Sequence, residues 1–319
     1  MHIKFSYVFI FLATLLLSAC DLTPEAEETI ELSPEGFFAA TLTDKYALTG
    51  NIRGNAELWQ LQPQKLLHSW QHSDKSTGIM YTAIADNGEY ALTAEKNSLA
   101  WWRISDGQLL NIWLIDDINA IAISSNGKSA LIGLADKALY FSLSLAKTVY
   151  ILPHKDKVTQ LDLSKSGLLA ITGSNDHTAK LWDLNSGKLK HTWEHRSNLS
   201  KVAISPNGAY ALTNEGLGTI KIWKPRTGKL HRELGAKLIT LSSLSFSSNS
   251  RQVVVGQLSR RIDLWDISSG ELQSYWRPKK QRDWIPSAAT IIALSFAEKN
   301  NKIYSIASNG YLQRWNAAP

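Results

Sequence analysis

Few residues of this 319-residue chain have the types and spacing that catalysis or metal binding requires. Cys20 is the single cysteine, which excludes a disulfide framework and a cysteine metal site. The sequence has no nucleophile elbow, zinc-binding histidine pair, phosphate-binding glycine loop or dinucleotide fingerprint. Gly216-Leu217-Gly218 is too short to indicate more than a turn, and Asp116-Asp117 fits a solvated turn better than an acid and base pair. We therefore expect no catalytic residue, no metal site and no cofactor.

Cys20 stands at the end of an export signal. Lys4 precedes an apolar run from Phe5 to Leu17, which is long enough for secretion but short for a transmembrane helix. Leu17-Ser18-Ala19-Cys20 resembles the lipobox of bacterial lipoproteins. The resemblance implies that residues 1–19 are a cleaved signal peptide, that Cys20 is acylated and that residues 20–28 form a membrane tether. Each buried methylene contributes about 0.8 kcal/mol, so two or three acyl chains would hold the protein on a bilayer.

The residue after the cysteine bears on the choice of membrane. In lipoproteins of enteric-type bacteria an aspartate at this position tends to retain the protein in the inner membrane, and Asp21 occupies it here. The resemblance therefore implies a lipid anchor on the periplasmic side, with the inner membrane slightly favoured over the outer.

The charge balance is mildly basic. Loss of Lys4 with the signal leaves 33 lysines and arginines against 28 acidic residues, a net charge of about +5. Export argues against a nucleic-acid partner, so attraction to anionic lipid headgroups or acidic surfaces is one use of this excess. Basic residues scattered over the surface with no binding partner would explain the net positive charge equally well.

Short apolar segments recur along the chain and predict repeated hairpins. Segments that begin at Lys45, Glu89, Lys128, Leu168 and Ala209 follow one another at intervals of 44, 39, 40 and 41 residues. Most of them come directly after an Asn-Gly or Ser-Gly turn, which is typical of a tight hairpin. A period of about 40 to 45 residues is that of a four-stranded propeller blade.

Aromatic residues mark two further strands in each repeat. A third strand ends in an aromatic side chain at seven positions: Trp59, Trp102, Phe141, Trp182, Trp223, Trp265 and Trp315. Eleven residues after the first six of these stands an apolar residue of a fourth strand: Trp70, Trp113, Leu152, Trp193, Leu234 and Trp276. Only Trp101 and Trp284 fall outside this register, and we expect Trp101 to be buried between blades.

Leu181-Trp182-Asp183 and Leu264-Trp265-Asp266 resemble the dipeptide motif of the WD-repeat family, and the resemblance covers about 290 residues. It implies an all-β fold, a seven-bladed β-propeller of four-stranded blades at residues 29–316. It also implies a structural hydrogen-bond network in the fourth blade, formed by His154, Thr172, Asp176 and Trp182. Other blades depart from the pattern, since Arg53, Leu217 and Ser259 stand where the turn aspartate belongs.

The N-terminal segment has the pattern of a closing strand. Only four residues follow Trp315, which leaves no room for a fourth strand in the seventh blade. Residues 28–33 alternate polar and apolar side chains and precede the first full blade, so we expect them to complete the last one. This strand would start on the face opposite the loops that join consecutive blades, which predicts that the lipid leaves from that opposite face.

One interblade loop is longer than its equivalents and is the candidate partner-binding segment. Residues 277–289 contain Lys279, Lys280, Arg282 and Trp284, and cations beside an exposed tryptophan suit an acidic or amphipathic partner. The alternative is a variable loop whose tryptophan folds onto the rim.

The residues together favour a monomeric, non-catalytic scaffold that binds an unidentified envelope protein on the interblade-loop face. One alternative is an enzyme or quinone-cofactor protein that uses the central channel, although the sequence offers neither a metal site nor a cofactor cavity for it. A second alternative is a binder of cell-wall glycan, for which an exposed Trp284 would serve.

Overall fold

A computed structural model describes residues 24–51, 53–73, 78–280 and 289–317. The predicted signal peptide, Cys20, Asp21, Arg282 and Trp284 lie outside these residues. Within them, seven separate four-stranded antiparallel sheets follow one another along the chain. The described residues contain one helical turn, a 3-10 turn at Glu298–Asn300, and no helix with the length and hydropathy of a membrane span.

Each of the first six blades consists of four consecutive strands ordered from the centre outwards. Blade 1 comprises β2 (Ala39–Leu42), β3 (Tyr46–Gly50), β4 (Asn55–Gln60) and β5 (Lys65–Gln71). Blade 2 comprises β6 (Tyr81–Ile84), β7 (Tyr90–Ala94), β8 (Ser98–Arg103) and β9 (Leu109–Leu114). Blade 3 comprises β10 (Ala120–Ile123), β11 (Ser129–Gly133), β12 (Lys137–Ser142) and β13 (Lys147–Pro153).

Blades 4 to 6 repeat the same order. Blade 4 comprises β14 (Val158–Leu163), β15 (Leu169–Ser174), β16 (Thr178–Asp183) and β17 (Lys188–Glu194). Blade 5 comprises β18 (Leu199–Ile204), β19 (Ala211–Glu215), β20 (Gly218–Trp223) and β21 (Leu230–Ile239). Blade 6 comprises β22 (Leu241–Phe246), β23 (Gln252–Gln257), β24 (Arg261–Asp266) and β25 (Leu272–Trp276).

Blade 7 combines the two ends of the chain. Its inner strands are β26 (Ile291–Ala297), β27 (Lys302–Ala307) and β28 (Tyr311–Asn316), and its outermost strand is β1 (Glu28–Glu31). β1 pairs antiparallel with β28, with Ile30 opposite Leu312. This pairing is consistent with the predicted closure by an N-terminal strand, and the architecture confirms the predicted all-β, seven-bladed propeller.

Aromatic stacking between neighbouring blades explains the eleven-residue spacing. The outer-strand Trp70 lies 4.9 Å from Trp102 of the next blade, ring centroid to ring centroid, and Trp193 lies 5.1 Å from Trp223 in the same way. In blades 1 to 6 the fourth strand has a β-bulge of one extra residue opposite the third-strand aromatic. The core is therefore a ring of interblade clusters, and half-buried Trp101 packs into the one between blades 2 and 3.

Candidate binding surface

The order of the strands gives the ring two distinct faces. The upper face carries the loops that join consecutive blades and the turns between second and third strands. The lower face carries the turns between first and second strands and those between third and fourth strands. β1 runs from the lower to the upper face, because it pairs antiparallel with β28. The chain therefore enters the ring from the lower face.

On the upper face, blade 4 brings together the four residues of the predicted network. His154 Nε2 lies 2.7 Å from Thr172 Oγ1, and His154 Nδ1 lies 2.9 Å from Asp176 Oδ2. Trp182 Nε1 donates to the same Thr172 hydroxyl at 2.9 Å. The network thus links the loop that precedes blade 4 to the turn between the second and third strands of that blade.

The ionisation states in this network follow from burial and hydrogen bonding. Burial lowers the pKa of His154, so the ring is neutral, with Nδ1–H donating to the carboxylate. Burial alone would raise the pKa of Asp176, but hydrogen bonds from the Lys155 amide, the Thr178 hydroxyl and His154 hold it well below its usual range. The Thr172 hydroxyl is fully buried between histidine and tryptophan, so it has no access to a substrate.

Blade 2 contains a related network that the family motif alone does not predict. His72 Nε2 lies 2.7 Å from Thr93 Oγ1, which also accepts from Trp102 Nε1 at 2.8 Å. Ser98 Oγ lies 2.6 Å from His72 Nδ1 and makes the contact that Asp176 makes in blade 4, while Glu95 Oε1 lies 3.9 Å from the same nitrogen. Two sequence features could have identified this network: a histidine two residues after the fourth-strand aromatic Trp70, and the threonine of the second strand.

Blade 5 contains only part of this network, because both ring nitrogens of His195 are buried without a hydrogen-bond partner among the described residues. Trp223 Nε1 donates to Thr213 Oγ1 at 2.8 Å, and Glu215 Oε2 lies 3.8 Å from His195 Nδ1. Burial, supported by repulsion from Lys221, lowers the pKa of His195 to about 4. Leu217 stands where the family pattern has the turn aspartate, and the carboxylate comes instead from Glu215, two residues earlier.

Four large apolar side chains in the described loops and turns of the upper face are exposed, and we call them the apolar collar: Phe38, Met80, Leu217 and Leu258, between 43% and 67% exposed. Phe38 and Met80 border the upper mouth of the central channel, a cavity of about 320 Å³. The turns that carry Leu217 and Leu258 both donate backbone hydrogen bonds to Thr240, at 3.1 Å and 3.4 Å. Part of the collar is thus fixed by backbone contacts rather than carried on a free loop.

The central channel holds two charged residues that sequence reasoning did not select. Asp162 lines a lower cavity of about 560 Å³, and Lys201 lines the upper mouth. Burial raises the pKa of Asp162 to about 7, against the opposing hydrogen bonds from the amides of Ile204 and Leu163, and burial lowers the pKa of Lys201 to about 8. In the sequence, each of them is recognisable as a charged residue within an otherwise uncharged innermost strand.

The described part of the predicted partner-binding loop is anchored at its start. The Lys279 amide donates to Gln313 Oε1 at 2.9 Å, and Asn309 Nδ2 donates to the Lys279 carbonyl at 3.1 Å. The ammonium group lies 5.1 Å above the Tyr311 ring, while Lys280 is exposed. Arg282 and Trp284 lie outside the described residues. Of the four predicted partner-binding residues, the structure therefore describes only Lys279 and Lys280.

No group of three or more metal-ligating side chains occurs in the described portions of the chain. The fold defines the class of protein: seven four-stranded blades around an axis form a β-propeller.

Within this propeller, residues 146–183 and 187–224 each match the family described as WD domain, G-beta repeat. Each matched segment runs from the outermost strand of one blade to the third strand of the next, ending one residue after Trp182 or Trp223. The two matches and the seven blades together support a WD-repeat propeller. Comparison with curated proteins gave no match.

Proposed function

We propose that this protein is a lipid-anchored scaffold of the bacterial cell envelope that binds a protein partner on its upper face without catalysing a reaction. The observation that carries the proposal is the apolar collar. Large apolar side chains exposed on one face, two of them beside the channel mouth, favour association with another protein, because their burial removes apolar surface from water. Rigid turns reduce the conformational entropy lost on binding.

The anchor in this proposal is acylated Cys20. Thr29 lies nine positions after Cys20, and an extended chain reaches at most about 3.3 to 3.6 Å per residue, or roughly 30 Å. Since β1 starts on the lower face, such a tether points the apolar collar away from the bilayer. The upper face is then accessible to a periplasmic protein.

The anchor is tested by mass spectrometry of the mature N-terminus in cells that express the full chain. We expect a chain that begins at residue 20 and carries acyl groups on Cys20. Cys20→Ser should release the protein from the membrane fraction. An unmodified N-terminus at any other residue contradicts the anchor.

The binding surface is tested by affinity capture from detergent-solubilised membranes. We expect wild-type protein to recover a specific partner, and Leu217→Asp/Leu258→Asp to lose it, because the two aspartates would have to be desolvated at the interface. Leu272→Asp, on the outer strand β25, is the matched control and should retain the partner. Lys280→Glu tests separately whether the long loop contributes.

Capture that is unaffected by the collar variant contradicts the scaffold on this face. A chromophore in the purified protein, or redox activity with added quinone, would instead favour the enzyme alternative. Selective binding in a glycan screen would favour the cell-wall alternative.

A further inference from the structure

The lower turns of blades 3 to 5 are strongly basic. Together with the strand residues that flank them, these turns contain seven cations and a single acidic residue, Asp183. We call the seven cations the basic rim: Lys128, Lys147, Lys165, Lys188, Lys224, Arg226 and Lys229.

The upper loops of the same three blades have the opposite balance. Counted with the same flanking residues, they contain four cations and seven acidic residues, from Asp116 in the loop before blade 3 to Glu215 in blade 5. The positive charge of this sector is therefore concentrated on one face, which a random scatter of the net excess does not explain.

The charges of the basic rim are available to a ligand. None of the seven cations forms an ion pair with another described residue. Six of them are exposed, and the seventh, Lys224, places its ammonium group 4.6 Å above the Tyr210 ring. Like charges gathered without acidic partners repel one another, so an anionic surface would stabilise them.

Contacts between blades join these turns into one row. Tyr150 of the outer strand of blade 3 donates from its hydroxyl to the Asn185 carbonyl in the lower turn of blade 4, at 3.1 Å. His191 of the outer strand of blade 4 bonds in the same way to the Pro225 carbonyl in the lower turn of blade 5, at 3.0 Å. The cations on these turns thus lie along a continuous edge.

Exposed leucines alternate with these cations. Leu145, Leu168, Leu189 and Leu230 are between 46% and 65% exposed, and each lies within three residues of a cation of the basic rim. Leucine beside lysine suits the boundary of a bilayer, where apolar side chains enter the acyl region and ammonium groups contact the headgroups. A nucleic acid or an acidic protein would use the cations but has less use for the leucines.

We propose that the basic rim and these four leucines form a membrane-contact surface for a bilayer that contains anionic phospholipid. The orientation rests on the proposed lipid anchor, since β1 of blade 7 starts on the same lower face. Blade 7 and blades 3 and 4 lie on opposite sides of a seven-bladed ring. The tether and the basic rim would therefore hold the lower face flat against the membrane at two separated points.

The test measures binding of the mature chain with Cys20→Ser, which carries no acyl group, to phospholipid vesicles in a sedimentation assay. We expect at least tenfold tighter binding to vesicles of one part phosphatidylglycerol and two parts phosphatidylcholine than to pure phosphatidylcholine vesicles. Lys188→Glu/Arg226→Glu/Lys229→Glu should weaken binding to the anionic vesicles by about a hundredfold or more, given what each cation contributes near such a surface. Equal binding to both kinds of vesicle overturns the proposal.

The matched control is Lys155→Glu/Lys157→Glu/Arg196→Glu, which makes the same change in net charge on exposed residues of the upper face. It should change vesicle binding less than threefold. An equal loss in both triple variants would show an effect of net charge and would overturn the assignment to the lower face. Thermal unfolding of each variant establishes that the fold is retained.

The leucines separate a bilayer from other polyanions. Leu189→Ser/Leu230→Ser should weaken vesicle binding several-fold while its dependence on salt stays the same. If this variant binds like wild type, and poly-glutamate or DNA competes as well as vesicles, the surface is a general polyanion site and the lipid assignment is wrong. The assay requires neither acylation nor a protein partner, so its result is independent of the tests of the proposed function.

Discussion

At the scale of single residues, the most informative position is the threonine of the second strand. In blades 2, 4 and 5 its hydroxyl accepts a hydrogen bond from the third-strand tryptophan, through Thr93, Thr172 and Thr213. Blade 6 has Val255 in the same register, and the indole nitrogen of Trp265 is buried without a hydrogen-bond partner among the described residues. A hydroxyl at this position is not sufficient by itself, since blade 1 has Thr49 there and the Trp59 indole nitrogen is also buried without a hydrogen-bond partner among the described residues.

Thr172→Val should therefore lower the free energy of unfolding by about 2 kcal/mol, because Trp182 Nε1 and His154 Nε2 both lose their partner. The matched control is Thr49→Val in blade 1, where the hydroxyl makes one bond of 3.4 Å, to the Glu57 carbonyl. The control should cost less than about 1 kcal/mol. Urea-induced unfolding measures both, and equal losses would mean that the network contributes no more than an isolated threonine.

At the scale of elements, the closing segment approaches blade 7 so closely that two glycines are required. A methyl group on Gly310 would lie 1.7 Å from the Ser33 carbonyl oxygen, and one on Gly36 would lie 2.2 Å from the Ser308 carbonyl oxygen. Both glycines have a positive φ. These contacts fix the path of the chain as it leaves β1, so closure depends on backbone fit as well as on strand pairing.

Gly310→Ala should displace the segment that follows β1 and weaken the closure of the ring. Gly167→Ala is the matched control, because Gly167 has a similarly positive φ of 71° but no atom within 4 Å of the added methyl group. The control should cost about 1 kcal/mol from backbone strain, and Gly310→Ala clearly more. Hydrogen exchange at residues 28–32 should accelerate only in Gly310→Ala, and unchanged exchange there would contradict the contact.

At the scale of the whole molecule, the channel exists only because seven inner strands surround one axis. This arrangement buries Asp162 and raises the pKa of its carboxyl to about 7. Between pH 4 and 7 the unfolded chain releases this proton and the folded chain keeps it. Folding therefore becomes less favourable through this group as the pH rises through that window, and the loss is complete above pH 7.

Asp162→Asn removes this dependence. We expect the difference in melting temperature between the variant and wild type to shift in favour of the variant from pH 5 to pH 8, because only wild type must ionise a buried carboxyl. Scanning calorimetry across this range measures the difference. Two melting curves that move in parallel with pH would show that Asp162 is not buried as the closed channel requires.

The sequence by itself determined the number and content of the blades. Tryptophans and glycine turns repeat with the period of a four-stranded unit, and residues 28–33 alternate polar and apolar side chains, so the repeat count and the closing strand could be predicted from local patterns. The network of blade 4 could be predicted because all of its residues follow the family pattern. Local periodicity suffices here because each blade packs only against its neighbours.

Only the tertiary structure decided how residues far apart in the chain share a surface. The collar joins Phe38 to Leu258 and the basic rim joins Lys128 to Lys229, although nothing within a single repeat marks these positions. The closed ring also places Asp162 in the wall of the channel. The variant networks of blades 2 and 5 likewise became visible only when Ser98 and Glu215 were placed beside a histidine. Closing the ring assigns every turn to one of two faces, and that assignment depends on the strand order of the whole molecule rather than on any local residue pattern.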